Sequence, residues 1–261
     1  TSAVSPRVGV ILDPLGNQKW SVNASVAQYV DAIANSIADS GSAAGNPQTF
    51  QYFYRGPNIN GDATAAALVD TRAAIQQVFA WYNANGGANL PLAGNPTIPG
   101  VATKIGAGLK SPKTIEYAGG INRQFARSAI RLDYVYRDWS DFYVSRTNQG
   151  TGIVTNSFGQ RFDLTLIGNT NDLKRRYQGL SLQGTHRLGA SEIGGTYTLS
   201  HLWGNVDGET VANGPVTSGI LQYPEYKQLS WNNPEGDLSA DQRHRARLWL
   251  NYNIQQVKGL T

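Results

Sequence analysis

The sequence predicts an all-β protein, namely a segment of an antiparallel transmembrane β-barrel with long extracellular loops, one of which contains a helix. Three observations lead to this prediction. Apolar and polar residues alternate with a period of two along several stretches, so that each strand has one apolar and one polar face. Several of these stretches have ten or more residues, whereas strands usually have about five or six. Short and long connections alternate along the chain, as they do in outer-membrane barrels.

Seven strands are predicted, beginning with a hairpin over residues 7–30 whose turn has the sequence Asp-Pro-Leu-Gly-Asn. The remaining strands lie in an antiparallel region over 113–254, with outer loops at 146–175 and 204–241. A further stretch, 161–168, is expected to share a rung with the strand at 176–188. The predicted strands are 7–12, 19–30, 113–125, 129–145, 176–188, 191–203 and 242–254.

The longest connection is an extracellular loop over residues 31–112. Within it, apolar residues at helical spacing predict a helix over 62–83, capped by Asp62 or Thr64. An insertion of this length in a compact domain is often functional. We expect the helix either to form a lid or receptor surface, or to pack its aromatic residues inside the loop.

The parity of each strand separates a lipid-facing apolar face from a polar face that lines the lumen. Ten residues at ~3.3 Å each, tilted by ~40°, span roughly 25 Å, which is the height of a barrel's apolar band. Aromatic residues at the strand ends of the apolar face predict two interfacial girdles. Trp20, Phe125 and Tyr252 would lie at the inner interface, and Tyr136 and Trp203 at the outer one.

Charged residues concentrate on the predicted polar face. They either line a substrate path or contact a plug, or they pair with one another and with water. The lumen-facing residues predicted in this way are Glu116, Arg131, Asp133, Arg137, Glu192, Arg243, Arg245 and Arg247.

The outer loop at 204–241 contains the candidate ligand-binding residues. Aromatic side chains together with carboxylates are suited to a sugar, a peptide or a metal chelate, although a loop packed on its neighbours has the same composition. No EF-hand spacing accompanies the carboxylates, so no calcium site is predicted. The candidate residues are Tyr223, Tyr226, Trp231, Asp237 and Asp241.

Composition and motifs exclude several other classes. No apolar run approaches the ~18 residues of a membrane-spanning helix, and the absence of cysteine excludes disulfide frameworks and cysteine nucleophiles. The net charge of +4 is weak and dispersed, so we expect no nucleic-acid partner. The histidines lie on different strands without suitably spaced partners, and catalytic motifs are absent, so we predict no metal, no cofactor and no enzymatic activity.

Several segments, in this order and spacing, resemble TonB-dependent outer-membrane receptors. The large Oar-like branch, whose members often carry a carboxypeptidase-regulatory-like domain, is most similar in the later segments. The segments are Pro6-Arg7-Val8-Gly9, Asp13-Pro14-Leu15-Gly16-Asn17-Gln18-Lys19, Leu109-Lys110-Ser111-Pro112, Arg123-Gln124-Phe125, Asp133-Tyr134-Val135-Tyr136-Arg137, Asn171-Asp172-Leu173, Arg176-Tyr177-Gln178-Gly179-Leu180 and Asp241-Gln242-Arg243-His244-Arg245.

The resemblance implies a 22-stranded barrel in the outer membrane of a Gram-negative bacterium, with membrane lipid around it. It also implies a plug domain, absent from this chain, through which the TonB protein energises the uptake of a scarce nutrient ligand. Seven strands cannot close a barrel, so we expect a part of a longer barrel. The chain has no methionine, so we expect a mature form or an excerpt of a gene product. A passive outer-membrane porin or adhesin, and a soluble secreted carbohydrate-binding β-protein, remain alternatives.

Overall fold

The regular structure of the chain is mostly antiparallel β-sheet, which confirms the predicted all-β class. In the described part of the chain, no helix is long and apolar enough to cross a membrane. The chain divides into two compact units, unit 1 (1–34, 106–146 and 167–261) and unit 2 (35–105 and 147–166). The computed structural model describes residues 4–31, 37, 41–42, 44, 47–62, 64, 68–94, 96–147, 149–156, 159–207 and 217–253.

The helices and strands have the following bounds. Among the described residues, the helices include α1 (Thr71–Ala84), α2 (Leu229–Asn232) and a 3-10 helix over Gly87–Asn89. The strands are β1 (Arg7–Leu12), β2 (Trp20–Val30), β3 (Thr103–Ile105), β4 (Lys113–Gln124), β5 (Ser128–Ser140), β6 (Phe142–Thr147), β7 (Ile153–Thr155), β8 (Arg161–Asp163), β9 (Thr165–Thr170), β10 (Arg175–Leu188), β11 (Ser191–Gly204), β12 (Thr217–Gln222), β13 (Gly236–Asp237) and β14 (His244–Tyr252).

Unit 1 contains an eight-stranded antiparallel sheet, called here the main sheet. Its neighbours follow the order β1-β2-β4-β5-β10-β11, and both β13 and β14 pair with β11. Short turns at 13–19, 125–127 and 189–190 join strands at one end of the sheet, called the short-turn end. The long connections all leave from the opposite end, called the long-loop end.

The predicted strand 129–145 is wrong as a single element, because the chain breaks it at Asp141. Asp141 lies between β5 and β6 with a φ of 60°, a left-handed conformation that strands do not use. Its amide donates a hydrogen bond to Asn171 Oδ1 at 2.9 Å, and its carbonyl accepts one from Asn169 Nδ2 at 2.7 Å. These contacts stabilise the break, after which β6 lies beside β9 and β12 instead of continuing in the main sheet.

Two further strand predictions need correction. The stretch 161–168 does not share a rung with β10, because β8 pairs with β7 and β9 lies beside β6. Its alternation is as good as that of a main-sheet strand, but periodicity does not specify the partner. The last predicted strand, 242–254, begins at His244, and residue 254 lies outside the described residues.

Unit 2 combines segments from two of the predicted outer loops. Its buried cluster contains Ile98 and Ala102 from the first segment and Phe162 from the second. Phe50 and Val154 pack against this cluster. The two loops therefore share one apolar core.

The helix in the first loop begins at Thr71, so the predicted span 62–83 is wrong at its start. Asp70 is the N-cap, and its Oδ1 accepts a hydrogen bond from an amide of the first turn at 3.0 Å. Just before it, the side chain of Asn60 bonds the amide and carbonyl of Val69 at 2.7 and 3.2 Å. This pair of bonds holds Val69 outside the helix, directly before the N-cap.

Candidate functional site

The main sheet has one continuous apolar face. The exposed fraction of its large side chains is 39% at Leu132 and 47% at Leu182, near the middle of their strands. Contiguous apolar surface of this kind usually marks an interaction with a partner or a membrane. The central rung contains Leu12, Val22, Ile121, Leu132, Leu182, Tyr197 and Ala246, and the next rung contains Val10, Ala24, Gly119, Tyr134, Leu180, Leu199 and His244.

At each end of the apolar face, an arginine guanidinium lies over aromatic rings. At the short-turn end, the guanidinium carbon of Arg123 lies 4.6 Å from the ring centroid of Trp20 and 4.5 Å from that of Phe125. At the long-loop end, the guanidinium carbon of Arg176 lies 5.4 Å from the ring of Trp203. These are cation–π distances. Arg176 was missed in the sequence, although it shares its parity with the leucines of β10.

Two histidines on the apolar face form hydrogen bonds within that face. His186 Nδ1 lies 2.7 Å from Ser128 Oγ on the neighbouring strand. His244 Nδ1 lies 2.8 Å from the hydroxyl of Tyr197. Each imidazole therefore has a neutral partner on its own face, which lowers the cost of placing it in an apolar environment.

The polar face carries ion pairs among the residues predicted to line the lumen. Arg137 Nε lies 2.5 Å from Glu116 Oε2, and Arg131 Nε lies 2.6 Å from Asp133 Oδ2. The hydroxyl of Tyr29 also donates to Glu116, at 3.3 Å. The structure therefore brings four of the predicted residues together in two pairs.

The remaining predicted polar-face residues lie along β11 and toward β14. Glu192 pairs with Arg187 at 3.4 Å. Arg247 and Arg245 are exposed and lie opposite Thr196 and Thr198 in the register. Their place on the polar face agrees with the sequence parity, and their contact with a substrate stays a prediction.

A charged cluster lies where β13 ends and β14 begins. Arg243 bonds Asp237 at 2.7 Å and Asp241 at 2.6 Å, and His201 Nε2 lies 3.0 Å from Asp237. The hydrogen bond from Arg243, followed by that from His201, lowers the pKa of Asp237 below its ordinary value. The two candidate carboxylates are therefore engaged by an arginine. Among the described residues, no group of three or more potential ligands is placed to hold a metal.

The three candidate aromatic residues of the same loop lie on a turn and a short helix. Tyr223 has a φ of 50°, and its carbonyl accepts hydrogen bonds from the amides of Tyr226 and Lys227, both at 3.0 Å. Tyr226 is 68% exposed, and Trp231 in α2 is 71% exposed. They are accessible to a ligand, and their role in binding stays a prediction.

Unit 2 contains an aromatic groove of about 350 Å³. Its rings meet edge to face, with 5.0 Å between the centroids of Tyr54 and Trp81 and 5.3 Å between those of Tyr52 and Tyr82. Volume and lining fall in the range of small-molecule sites. The groove is lined by Phe50, Tyr52, Tyr54, Val78, Phe79, Trp81 and Tyr82.

Two tyrosine hydroxyls of the groove are hydrogen-bonded to the backbone. Tyr54 donates to the carbonyl of Pro57 at 2.9 Å, and Tyr52 donates to that of Ala88 at 3.5 Å. Burial, followed by the hydrogen bond with Tyr82, raises the pKa of Tyr52 above its ordinary value. The residues on α1 were recognised in the sequence, but Phe50, Tyr52 and Tyr54, which recur with a period of two, were not predicted to lie beside them.

No protein-family model matches this chain, and no curated protein matches it. Among solved structures, the chain is similar to the outer membrane transporter YddB from Escherichia coli, with 17% identity and a TM-score of 0.40 over 77% of this chain and 20% of that one. It is also similar to the F3-3 variant of the FrpB iron transporter from Neisseria meningitidis, with 15% identity and a TM-score of 0.40 over 78% of this chain and 20% of that one. The chain thus spans about a fifth of the length of these transporters. Likeness of this degree does not assign a function.

Proposed function

We propose that this chain is part of the wall of a β-barrel transporter in the outer membrane of a Gram-negative bacterium. The apolar face of the main sheet contacts membrane lipid, and the polar face lines the lumen. The outer loops capture a scarce ligand. The ligand crosses when the TonB protein displaces a plug domain that is not part of this chain. The strand number of 22 and the Oar-like branch stay predictions.

The observation that carries this proposal is the exposed apolar face. Neither the buried cluster around Ile98 in unit 2 nor that around Phe142 in unit 1 includes a residue from this face. The two longest strands of the sheet have 14 residues each. At ~3.3 Å per residue and a tilt of ~45°, such strands span roughly 30 Å, enough to cross the ~25 Å apolar band of an outer-membrane barrel.

The polar face supports the assignment of a lumen. Charged side chains in contact with hydrocarbon are costly, and barrels place them on the inner face. Here the pairs Glu116–Arg137 and Arg131–Asp133 lie on the face opposite the leucines. A water-filled interior accommodates such pairs with little penalty.

The aromatic groove of unit 2 supports the capture of a ligand by the outer loops. It is concave, and no lining residue carries a formal charge at neutral pH. A ligand with flat, uncharged surfaces fits this lining. Trp231, Tyr226 and Tyr223 remain the proposed second contact surface, whereas Asp237 and Asp241 are engaged by Arg243.

Adjacent positions on β10 provide the test. We would place a single cysteine at Leu182 or at Ser181 in the whole protein, attach a nitroxide, and measure collisions with oxygen in lipid and with a nickel chelate in water. The chain has no cysteine that would compete for the label. We expect the label at 182 to collide with oxygen and the label at 181 to collide with nickel.

The alternatives give different results. Strong nickel collisions at both positions would contradict the membrane assignment and favour the soluble carbohydrate-binding protein. A passive porin or adhesin would give the expected alternation, but it would not crosslink to TonB in cells. Crosslinking to TonB therefore separates energised uptake from a passive barrel.

A further inference from the structure

The long-loop end of the apolar face contains a concavity of about 300 Å³, called here the rim pocket. The register places five of its six lining residues on two consecutive rungs of that face, and the sixth, Tyr177, lies between these rungs with the parity of the polar face. Asp138, Arg176 and Trp203 form one rung, and Tyr136, Gln178 and His201 form the next. The lining residues are Tyr136, Arg176, Tyr177, Gln178, His201 and Trp203.

We propose that the rim pocket binds the phosphate headgroup of a membrane lipid whose acyl chains lie on the apolar face below it. This inference rests on the proposed function, because it requires the apolar face to be in the membrane. It adds a specific headgroup site to what would otherwise be non-specific contact with lipid.

The pocket offers donors suited to phosphate. The side chain of Arg176 is 41% exposed, so its guanidinium is accessible from the pocket. Its guanidinium carbon lies 5.4 Å from the ring centroid of Trp203, a cation–π contact that holds the group beside the pocket. Guanidinium groups bind phosphate through two parallel hydrogen bonds. The amide of Gln178 and the imidazole of His201 add polar groups on the next rung.

The carboxylates near the pocket are not among its lining residues. Asp237 bonds His201 and Arg243, and Asp241 bonds Arg243. Asp138 lies 3.4 Å from Arg176 Nε, and its side chain is 43% exposed. Asp138 is therefore the group that competes with phosphate for Arg176.

The pocket continues directly into apolar surface. The rung below it contains Tyr134, Leu180 and Leu199, whose side chains are 44%, 42% and 46% exposed. A lipid satisfies both parts of this surface, since its phosphate meets Arg176 and its chains cover the leucines. Free inorganic phosphate would use only the first part, and a diacylglycerol only the second.

The test uses the whole protein in micelles of dodecyl maltoside, a detergent without phosphate. Dioleoyl phosphatidic acid is titrated, dioleoylglycerol serves as the matched lipid without phosphate, and native mass spectrometry measures the bound fraction. We expect phosphatidic acid to bind more tightly than dioleoylglycerol. Arg176→Gln should weaken its binding about tenfold, the effect of losing ~1.4 kcal/mol. Arg187→Gln, on the polar face of the same strand, should leave it unchanged.

A second variant acts in the opposite direction. Asp138→Asn removes the competing carboxylate and should strengthen the binding of phosphatidic acid severalfold, a gain that misfolding cannot produce. Equal binding of the two lipids, or unchanged binding in both Arg176→Gln and Asp138→Asn, would overturn the inference. Displacement of the lipid by an equal concentration of inorganic phosphate would also overturn it, because the site would then be for phosphate alone.

If the nitroxide at position 182 lies in lipid while these variants have no effect, only this inference fails. If that label lies in water, the proposed function itself fails.

Discussion

The two faces of the main sheet satisfy their polar groups in different ways. The polar face pairs charge with charge, as between Glu116 and Arg137. Near its centre the apolar face pairs neutral groups, as between His244 and Tyr197. Its charged residues lie toward the strand ends, where Arg123 lies on aromatic rings and Arg176 pairs with Asp138. The central rungs of its described strands contain no lysine, arginine, aspartate or glutamate. This division is the one expected of a sheet with lipid on one side and water on the other.

Among the substitutions proposed here, an arginine introduced at the centre of the apolar face should lower the free energy of unfolding most. Leu132→Arg places a charge at mid-height on this face and should lower the free energy of unfolding by about 2–4 kcal/mol. Unfolding by urea in lipid vesicles measures this difference. Ser181→Arg is the matched control, because it lies on the polar face beside Asp133 and should change stability by less than about 0.5 kcal/mol. Similar losses for both variants would refute the division between the faces.

Loss of a neutral hydrogen bond on the apolar face should lower the free energy of unfolding by an intermediate amount. Tyr197→Phe removes the partner of His244 Nδ1 and should cost about 1 kcal/mol, because the imidazole loses its bond in an apolar environment. Tyr134→Phe serves as the control on the same face, since its hydroxyl reaches Gln178 only at 3.5 Å. We expect a smaller loss for the control in the same urea assay. Equal losses would mean that the short bond of His244 has no special role.

Loss of an ion pair on the polar face should lower the free energy of unfolding least. Glu116→Gln keeps the shape of the side chain and its contact with Tyr29 but removes the charge opposite Arg137. The loss should be below about 1 kcal/mol, as for ion pairs in contact with water. It should shrink further in 1 M salt, where the Debye length is ~3 Å. A large loss that does not depend on salt would show that the pair is shielded from water.

Most of the main sheet follows from the sequence, because alternation along one strand is a local property. The opposite faces of Leu132 and Asp133 were predicted from parity, and the register agrees. The break at Asp141 was not predicted, since it depends on Asn169 and Asn171, about thirty residues later. The start of α1 was placed too early because the bonds of Asn60 to Val69 are invisible to helical periodicity.

The candidate sites, too, could be predicted only where they depend on local pattern. The polar-face residues could be predicted because each belongs to a regular strand, but their pairing, as in Glu116–Arg137, depends on the register between two strands. The aromatic groove could be predicted only in part, because Tyr52 and Tyr54 reach α1 along irregular chain. The rim pocket was missed because it combines three strands, and its key residue, Arg176, appears in the sequence as an exception to an apolar pattern.

The sequence by itself determined the all-β class, the two faces of the main sheet and the end from which the long connections leave. These properties depend on a period of two and on turn residues, both of which act over a few neighbouring positions. Only the tertiary structure decided that segments of two long loops share the core around Phe162, that Arg243 engages Asp237 and Asp241, and that Arg176 meets Trp203. Such contacts join residues far apart in the chain, and their geometry is defined only when the strands have taken their register.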